Sequence, residues 1–328
     1  MNRARVVGTG SALPERRLTN ADLEKMVQTS DEWIVERTGI HERRILEEGQ
    51  AASDLAATAC RRACEAANVP PTDVDCVIVG TVTADMPMPS CAALVAHKIG
   101  CRPGTPAFDV AAACAGFLYG LSVADAFVAR GSYRHILVVG VEVLSRIIDW
   151  SDRSTCVLFG DGAGAALVTA ESDGKRGLLS SHLHADGSLA KDLCIPAGGS
   201  AEPLTAQALA EKRNKVTMNG REVFRYAVKN LSAACEQALA HNHLTADDVN
   251  LVVAHQANLR IVEGVAARVG VPLERFFLNL SRYGNTSSAS VPIALDEAVR
   301  QGKCKINDNV LMCAFGGGFA WGSAVMRW

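Results

Sequence analysis

The chain contains its own approximate copy. Residues 60–79 read CRRACEAANVPPTDVDCVIV, and 175 positions later residues 235–254 read CEQALAHNHLTADDVNLVVA. Each stretch has a helical apolar pattern, a polar turn, an Asp-Val pair and a short apolar strand. The likeness goes on at an offset of 170: residues 96–100 (AHKIG) answer 266–270 (AARVG), and Phe108-Asp109-Val110 answers Leu278-Asn279-Leu280. A helix ending at Gly131 matches one ending at Gly302, and apolar strands follow at 136–140 and 310–314. The predicted unit is helix, strand, helix, strand, helix, strand, used twice. Such alternation predicts an α/β fold with a mainly parallel sheet under helices, and ligands gather outside the strand ends of such sheets. The halves are expected at 1–170 and 171–328, packed as one body. Residues 196–216, rich in Gly and scattered charge, read as a mobile surface insertion.

Composition narrows what such a chain can do. Of 328 residues, 48% are apolar and 21% charged, the balance of a folded protein. Thirty-three Lys and Arg against 35 Asp and Glu leave a net charge of −2, so no overall basic field favours nucleic acid. The uncharged run 310–326 holds four glycines and is shorter than the ~20 apolar residues of a spanning helix. It reads as buried strand and turn, not membrane. The first eight residues are too short for a signal-peptide core. Eleven cysteines without a C-x-x-C pair suggest reduced, buried thiols in a cytoplasmic chain. The pairs His182/His184 and His241/His243 lack Cys or carboxylate partners at zinc spacing, so no metal is expected. Gly160-x-Gly162-x-Gly164 lacks the spacing of a dinucleotide loop and leads into a strand-like run; no P-loop and no G-x-S-x-G occurs.

Four positions could carry chemistry. Cys114 follows the Phe108-Asp109-Val110 strand at the start of a long helical pattern, where unpaired N–H groups and the helix dipole favour a thiolate; a buried structural cysteine is the alternative. His255 ends the strand Leu251-Val252-Val253-Ala254, a place for a base, a donor or merely a satisfied ring. Asn285 lies in Tyr283-Gly284-Asn285-Thr286-Ser287, and the 170-residue offset carries position 114 to 284. Cys114 and Asn285 therefore fall in nearly equivalent turns of the two halves, which predicts one shared site. Gly316-Gly317-Gly318 follows the last core strand and could bring an amide to an oxyanion, or form a simple turn.

These residues resemble those of the β-ketoacyl-[acyl carrier protein] synthase III family, initiating condensing enzymes of the thiolase-like fold. The motifs are Asp31-Glu32-Trp33-Ile34, Arg37-Thr38-Gly39-Ile40, residues 109–117, residues 159–164, His255-Gln256-Ala257-Asn258-Leu259-Arg260, Gly284-Asn285-Thr286-Ser287 and residues 315–322. The resemblance implies duplicated halves in five layers, α-β-α-β-α. It implies Cys114 as the nucleophile that takes an acyl group from acyl-coenzyme A, and His255 with Asn285 as the pair that supports decarboxylation of malonyl-carrier protein. It further implies an oxyanion hole from the amides of Cys114 and Gly317, and coenzyme A contacts at Trp33, Arg37, Arg153 and Asn258. Carrier-protein contacts fall on Arg260, with Arg225 and Arg268 beside it. The implied assembly is a homodimer, with Met88 of residues 85–90 gating the partner's acyl channel. Acyl carrier protein and acyl-coenzyme A are the implied partners, with no cofactor. A condensing enzyme of secondary metabolism with the same triad, and a non-catalytic partner subunit, are the other readings.

Overall fold

The computed structural model describes residues 2–171 and 174–328. The first half runs β1 (Arg3–Ala12), α1 (Ala52–Ala67), β2 (Cys76–Gly80), α2 (Cys91–Ile99), β3 (Ala107–Val110), α3 (Gly116–Arg130), β4 (His135–Glu142) and β5 (Gly162–Glu171). The second runs β6 (Gly177–Ala185), α4 (Gly220–His241), β7 (Leu251–Ala254), α5 (Leu259–Val269), α6 (Ser290–Arg300), β8 (Asn309–Gly316) and β9 (Ala320–Arg327). One sheet has the order β1-β5-β4-β2-β3 and the other β6-β9-β8-β7. These are the same order, with the counterpart of β3 missing.

Strand periodicity builds the layers. In β4, Ile136 and Val138 point into a cluster with Leu118 and Leu121 of α3, while Leu137, Val139 and Val141 point onto α1 and α2. In β8, Val310, Met312 and Ala314 join that same inner cluster, and Leu311, Cys313 and Phe315 face α4 and α5. The α3 and α6 helices thus lie between the sheets, giving five layers: α1/α2, sheet, α3/α6, sheet, α4/α5. Strands buried on both faces explain the unbroken apolar runs of the sequence. The segment Ala113–Arg130 is long and apolar enough to cross a membrane. Here Phe117, Leu118 and Leu121 of that segment are at most 1% exposed in the inter-sheet core, each burial stabilising by about 2 kcal/mol.

Three expectations change. The sheets are mixed rather than mainly parallel: β4–β2, β2–β3 and β7–β8 are parallel, but β5 runs antiparallel to β1 and β4, and β9 to β8 and β6. The repeated unit begins inside α1 and α4, so the antiparallel strands that flank it lie outside its pattern. Only three residues separate β8 from β9, too few for a parallel crossover. Leu278-Asn279-Leu280 forms no strand; the nearest pairing is a single bridge between Val252 and Phe276. Residues 196–216 lie at the surface, as expected, but carry structure of their own, with a short helix at Ala206–Ala210. Backbone bonds join Ala197 N to Arg213 O (2.9 Å) and Val216 N to Ile147 O (2.9 Å), and Lys212 pairs with Asp149 at 2.9 Å.

The glycines at 160–164 serve packing. A Cβ on Gly164 would lie 2.6 Å from Ile293 N and 2.7 Å from Pro292 C, and one on Gly160 would lie 2.4 Å from Tyr283 O. Between them, the buried Asp161 accepts from Leu46 N (2.8 Å), Ser145 N (2.9 Å) and Ser145 Oγ (2.6 Å). Gly164→Ala forces β5 off α6 and is expected to cost about 3 kcal/mol or more, as overpacking against backbone does. Denaturant unfolding checks this; an unchanged midpoint would disprove the contact.

Candidate active site

The end of β3 leads through Ala111 and Ala112 to Ala113, held at φ +43°. That is a costly left-handed conformation for a residue with a Cβ. It turns the chain so that Cys114 stands in a single tight turn, Ala113–Ala115, immediately before α3. The second half repeats the device. Ser287 has φ +49°, and the turn Ser287–Ala289 precedes α6. The offset between these turns is therefore 174, which pairs Cys114 with Ser288 and puts Asn285 three residues upstream of the equivalent position. The simple 170-residue mapping is corrected to this extent, because the loops before the two helices differ in length.

Cys114, His255, Asn285 and Gly317 line one cavity of about 850 Å³. Gly316 makes that possible, since a Cβ there would lie 2.5 Å from Cys114 N. His255 follows β7, held by His255 N to Cys313 O at 2.7 Å, and its Nδ1 meets Ser290 Oγ, in the first turn of α6, at 2.5 Å. Asn285 is clamped by backbone bonds from its N to Leu158 O (2.8 Å) and from Gly160 N to its O (3.0 Å). Its Oδ1 accepts from Ser287 N at 2.8 Å, which leaves the side-chain amide as a donor.

Burial governs the charges. It lowers His255 to about 3, so the ring is neutral at ordinary pH. It pushes the Cys114 thiol up to about 12, against a hydrogen bond from the Ser287 side chain and with the charge of Glu142 adding to the rise. Burial thus works against the dipole-lowered thiolate expected from sequence and moves Cys114 toward the thiol. Glu142, also buried, was missed by sequence reading, as was Ser290, and Ser287 was noted only as part of the Asn285 motif. The signal for Ser290 was there in the repeat, since it opens α6 as Gly116 opens α3.

The cavity mouth carries the cationic and aromatic groups. Trp33 and Arg37 sit on the helix Asp31–Thr38, and the guanidinium carbons of Arg37 and Arg153 lie 5.0 Å and 4.5 Å from the Trp33 ring centroid. Asn258 caps α5 through Arg260 N (2.9 Å) and reaches Arg37 O (3.0 Å). Arg260 lines the cavity, as does Arg221, which sequence reading overlooked. Arg225 and Arg268 do not line it. Arg225 is paired with Glu222 and Arg268 lies in the last turn of α5, so Arg260, Arg221 and Arg37 are the cations that line the cavity itself. Met88 is 84% exposed, outside its own chain's cavity, which Val82 lines instead. The histidine pairs meet rings: His182 lies 5.1 Å from His241, and His184 stacks on Trp321 at 5.4 Å.

The neutral His255 makes a prediction about acid stability. Its ordinary value is 6.5 and its folded value about 3, so between these only the unfolded chain binds the proton. Stability should fall as pH falls through that window, by up to about 1.4 kcal/mol per pH unit from this group. His255→Gln should flatten the pH dependence of unfolding between pH 6 and 4 by that amount. A profile parallel to wild type would refute a buried neutral ring.

Both family models that match the chain are of 3-oxoacyl-[acyl-carrier-protein] synthase III, one over residues 108–187 and its C-terminal model over 239–328. The β-ketoacyl-[acyl-carrier-protein] synthase III of Caldanaerobacter subterraneus is 50% identical over 325 residues, 99% of this chain and 98% of that protein. The crystal structure of 3-oxoacyl-[acyl-carrier-protein] synthase III from Aquifex aeolicus is similar with a TM-score of 0.92 at 43% identity, covering 99% of this chain and all of that one. The priming β-ketosynthase of the R1128 polyketide pathway gives 0.90 at 37%, covering 99% and 96%. Similar along nearly its whole length and in both of its halves, this chain belongs to the β-ketoacyl-[acyl-carrier-protein] synthase III family of condensing acyltransferases.

Proposed function

We propose that the chain starts fatty-acid synthesis by joining an acyl-coenzyme A primer to malonyl-carrier protein through an acyl group held on Cys114. The observation that carries this reading is that Cys114, a neutral His255 and a free Asn285 amide converge on one cavity from both halves. In the first step the Cys114 sulfur bonds to the acyl carbon and coenzyme A leaves as its thiol, a thioester exchange suited to sulfur. In the second, malonyl-carrier protein loses carbon dioxide. The resulting enolate carbon bonds to the acyl carbon and the Cys114 thioester breaks.

Each step needs donors where negative charge develops. The amides of Cys114 and Gly317 serve the tetrahedral oxyanion. With Ser290 Oγ accepting from Gln256 N at 3.3 Å, its own proton is available to His255 Nδ1, which places the imidazole proton on Nε2. That N–H and the Asn285 amide donate to the enolate oxygen, each contributing about 3 kcal/mol as single oxyanion donors do. The chain's own groups and the two substrates suffice for both steps, so the reading calls for no cofactor.

Trp33, Arg37, Arg153 and Asn258 are assigned to coenzyme A, the ring to adenine and the guanidiniums to phosphate. Arg260 is assigned to the acidic carrier protein, with Arg221 beside it at the mouth and Arg225 and Arg268 as further contacts outside the cavity. Exposed Val82, Met86 and Met88 support a homodimer in which Met88 closes the partner's acyl channel. The two halves are taken to divide at 170/171 and the enzyme to work in the cytoplasm. A retained triad disfavours a non-catalytic subunit. Polyketide priming is the same chemistry on another carrier, and assays with different carrier proteins separate the two.

Two measurements test the roles. Cys114→Ala should abolish burst acylation from acyl-coenzyme A. His255→Ala and Asn285→Ala should keep the burst and lose condensation by at least about a hundredfold each; a variant that failed to acylate yet condensed from pre-acylated enzyme would reverse the assignment. Arg260→Glu should raise KM for malonyl-carrier protein several-fold, less so at high salt, with KM for acyl-coenzyme A nearly unchanged. Equal effects on both substrates would argue against a docking role.

A further inference from the structure

The reaction leaves Glu142, a buried carboxyl, unused. Glu142 ends β4 with no exposed surface, and no cation pairs with it among the described residues. Its Oε2 is held by Thr83 Oγ1 at 2.5 Å, whose proton is committed there because Oγ1 itself accepts from Val143 N at 2.8 Å. Val82 N lies 3.2 Å from both carboxyl oxygens. The other oxygen, Oε1, faces Ser287 Oγ at 3.3 Å and Ser288 Oγ at 3.1 Å. The Ser288 proton has a nearer acceptor in Gly80 O at 2.7 Å. Ser287 Oγ is left between Oε1 and Cys114, with which it lines the same cavity, and it acts on the sulfur in the sense that favours the charged form.

A hydroxyl has a single proton to give. With Glu142 ionised, Ser287 donates to Oε1 and offers the sulfur only a lone pair. With Glu142 protonated on Oε1, the carboxyl donates to Ser287 and the serine proton turns to the sulfur, where it stabilises a thiolate. We propose that Glu142, through Ser287, sets the direction of this hydrogen bond and is a positioning residue for Cys114, favouring the thiolate when it is itself neutral. The proposal rests on Cys114 as the acylated thiol.

Burial brings the Glu142 carboxyl to about 7, with the hydroxyls and the Val82 amide opposing the rise, so both states are populated near neutral pH. The titratable groups facing it are Cys114 before α3 and Cys91 at the start of α2; Asp85 and Asp109 face Cys91. An ionised Glu142 also repels a thiolate directly, in the same sense as the hydrogen-bond reversal.

The test is the rate of Cys114 alkylation by iodoacetamide, read at that residue by peptide mapping from pH 5.5 to 9.5. The wild-type rate should rise with pH, flatten between about 6 and 8 as Glu142 ionises, and rise again. Glu142→Gln should match wild type at pH 6, exceed it about tenfold at pH 9, and show no flattening. Ser287→Ala should slow alkylation about tenfold at pH 6 and much less at pH 9, where the wild-type hydroxyl already points away. A merely structural role would shift all rates equally. A wild-type profile without flattening overturns the proposal even if Glu142→Gln does not fold, and so does an equal loss in Ser287→Ala at both pH values. Burst acylation mapped to a residue other than Cys114 would instead overturn the assignment of the nucleophile, and is distinguishable from either result.

Discussion

Everything about the site depends on how closely the two central helices approach the sheets. A Cβ on Gly80 would lie 2.6 Å from Gly116 C, and one on Gly140 would lie 2.1 Å from Ser288 O. Backbone against backbone at this range is available only to glycine. It lets α3 and α6 enter side by side between the sheets with their first turns at the strand ends. A third such contact, Gly316 against Cys114 N, brings the end of β8 to the nucleophile. Both helices are entered through a non-glycine residue in the left-handed region, Ala113 and Ser287. Local strain is tolerated there because the surrounding five layers hold the chain in place.

The interior of the site is kept neutral by one cause. Burial moves His255 down and both Cys114 and Glu142 up, each toward its uncharged form. A buried interior whose groups are pushed toward neutrality strengthens the hydrogen bonds that meet an oxyanion, since little solvent competes there. Charge is confined to the mouth, where Arg37, Arg221 and Arg260 line the cavity and Arg153 flanks Trp33. Ionic parts of a substrate can be held in that partly wet zone while the reacting carbons enter the neutral one. The separation explains how a chain of net charge −2 can still present a basic entrance.

The duplication was readable because helices and two-face-buried strands leave strong apolar periods. The copies of α1, β2, α2, α3 and β4 were found by pattern, and the Gly8 to Gly10 strand before them was not. Its residues alternate with glycines that a Cβ would drive into Ala63 O and Ala59 O of α1, at 2.2 and 2.3 Å, so close packing rather than apolar alternation shapes β1. The equivalence of Leu278-Asn279-Leu280 with a strand failed for a different reason. Asn279 is drawn into bonds with Gln256 and Glu297, and these side-chain bonds take the place of a sheet ladder.

From sequence alone follow the two α/β halves, the buried strands, and the placing of Cys114, His255 and Asn285 at the ends of core elements. Those features are local: each is set by the period of side chains along a few turns or a strand, or by a turn at its end. Tertiary structure decided the rest. It set the mixed sheets, the neutral thiol and imidazole, the pairing of Arg225 with Glu222, and the meeting of Glu142 with Ser287 across 145 residues of chain. Charge state and hydrogen-bond direction depend on what lies within a few ångströms in space. No spacing along one chain reports that distance until both halves are folded against each other.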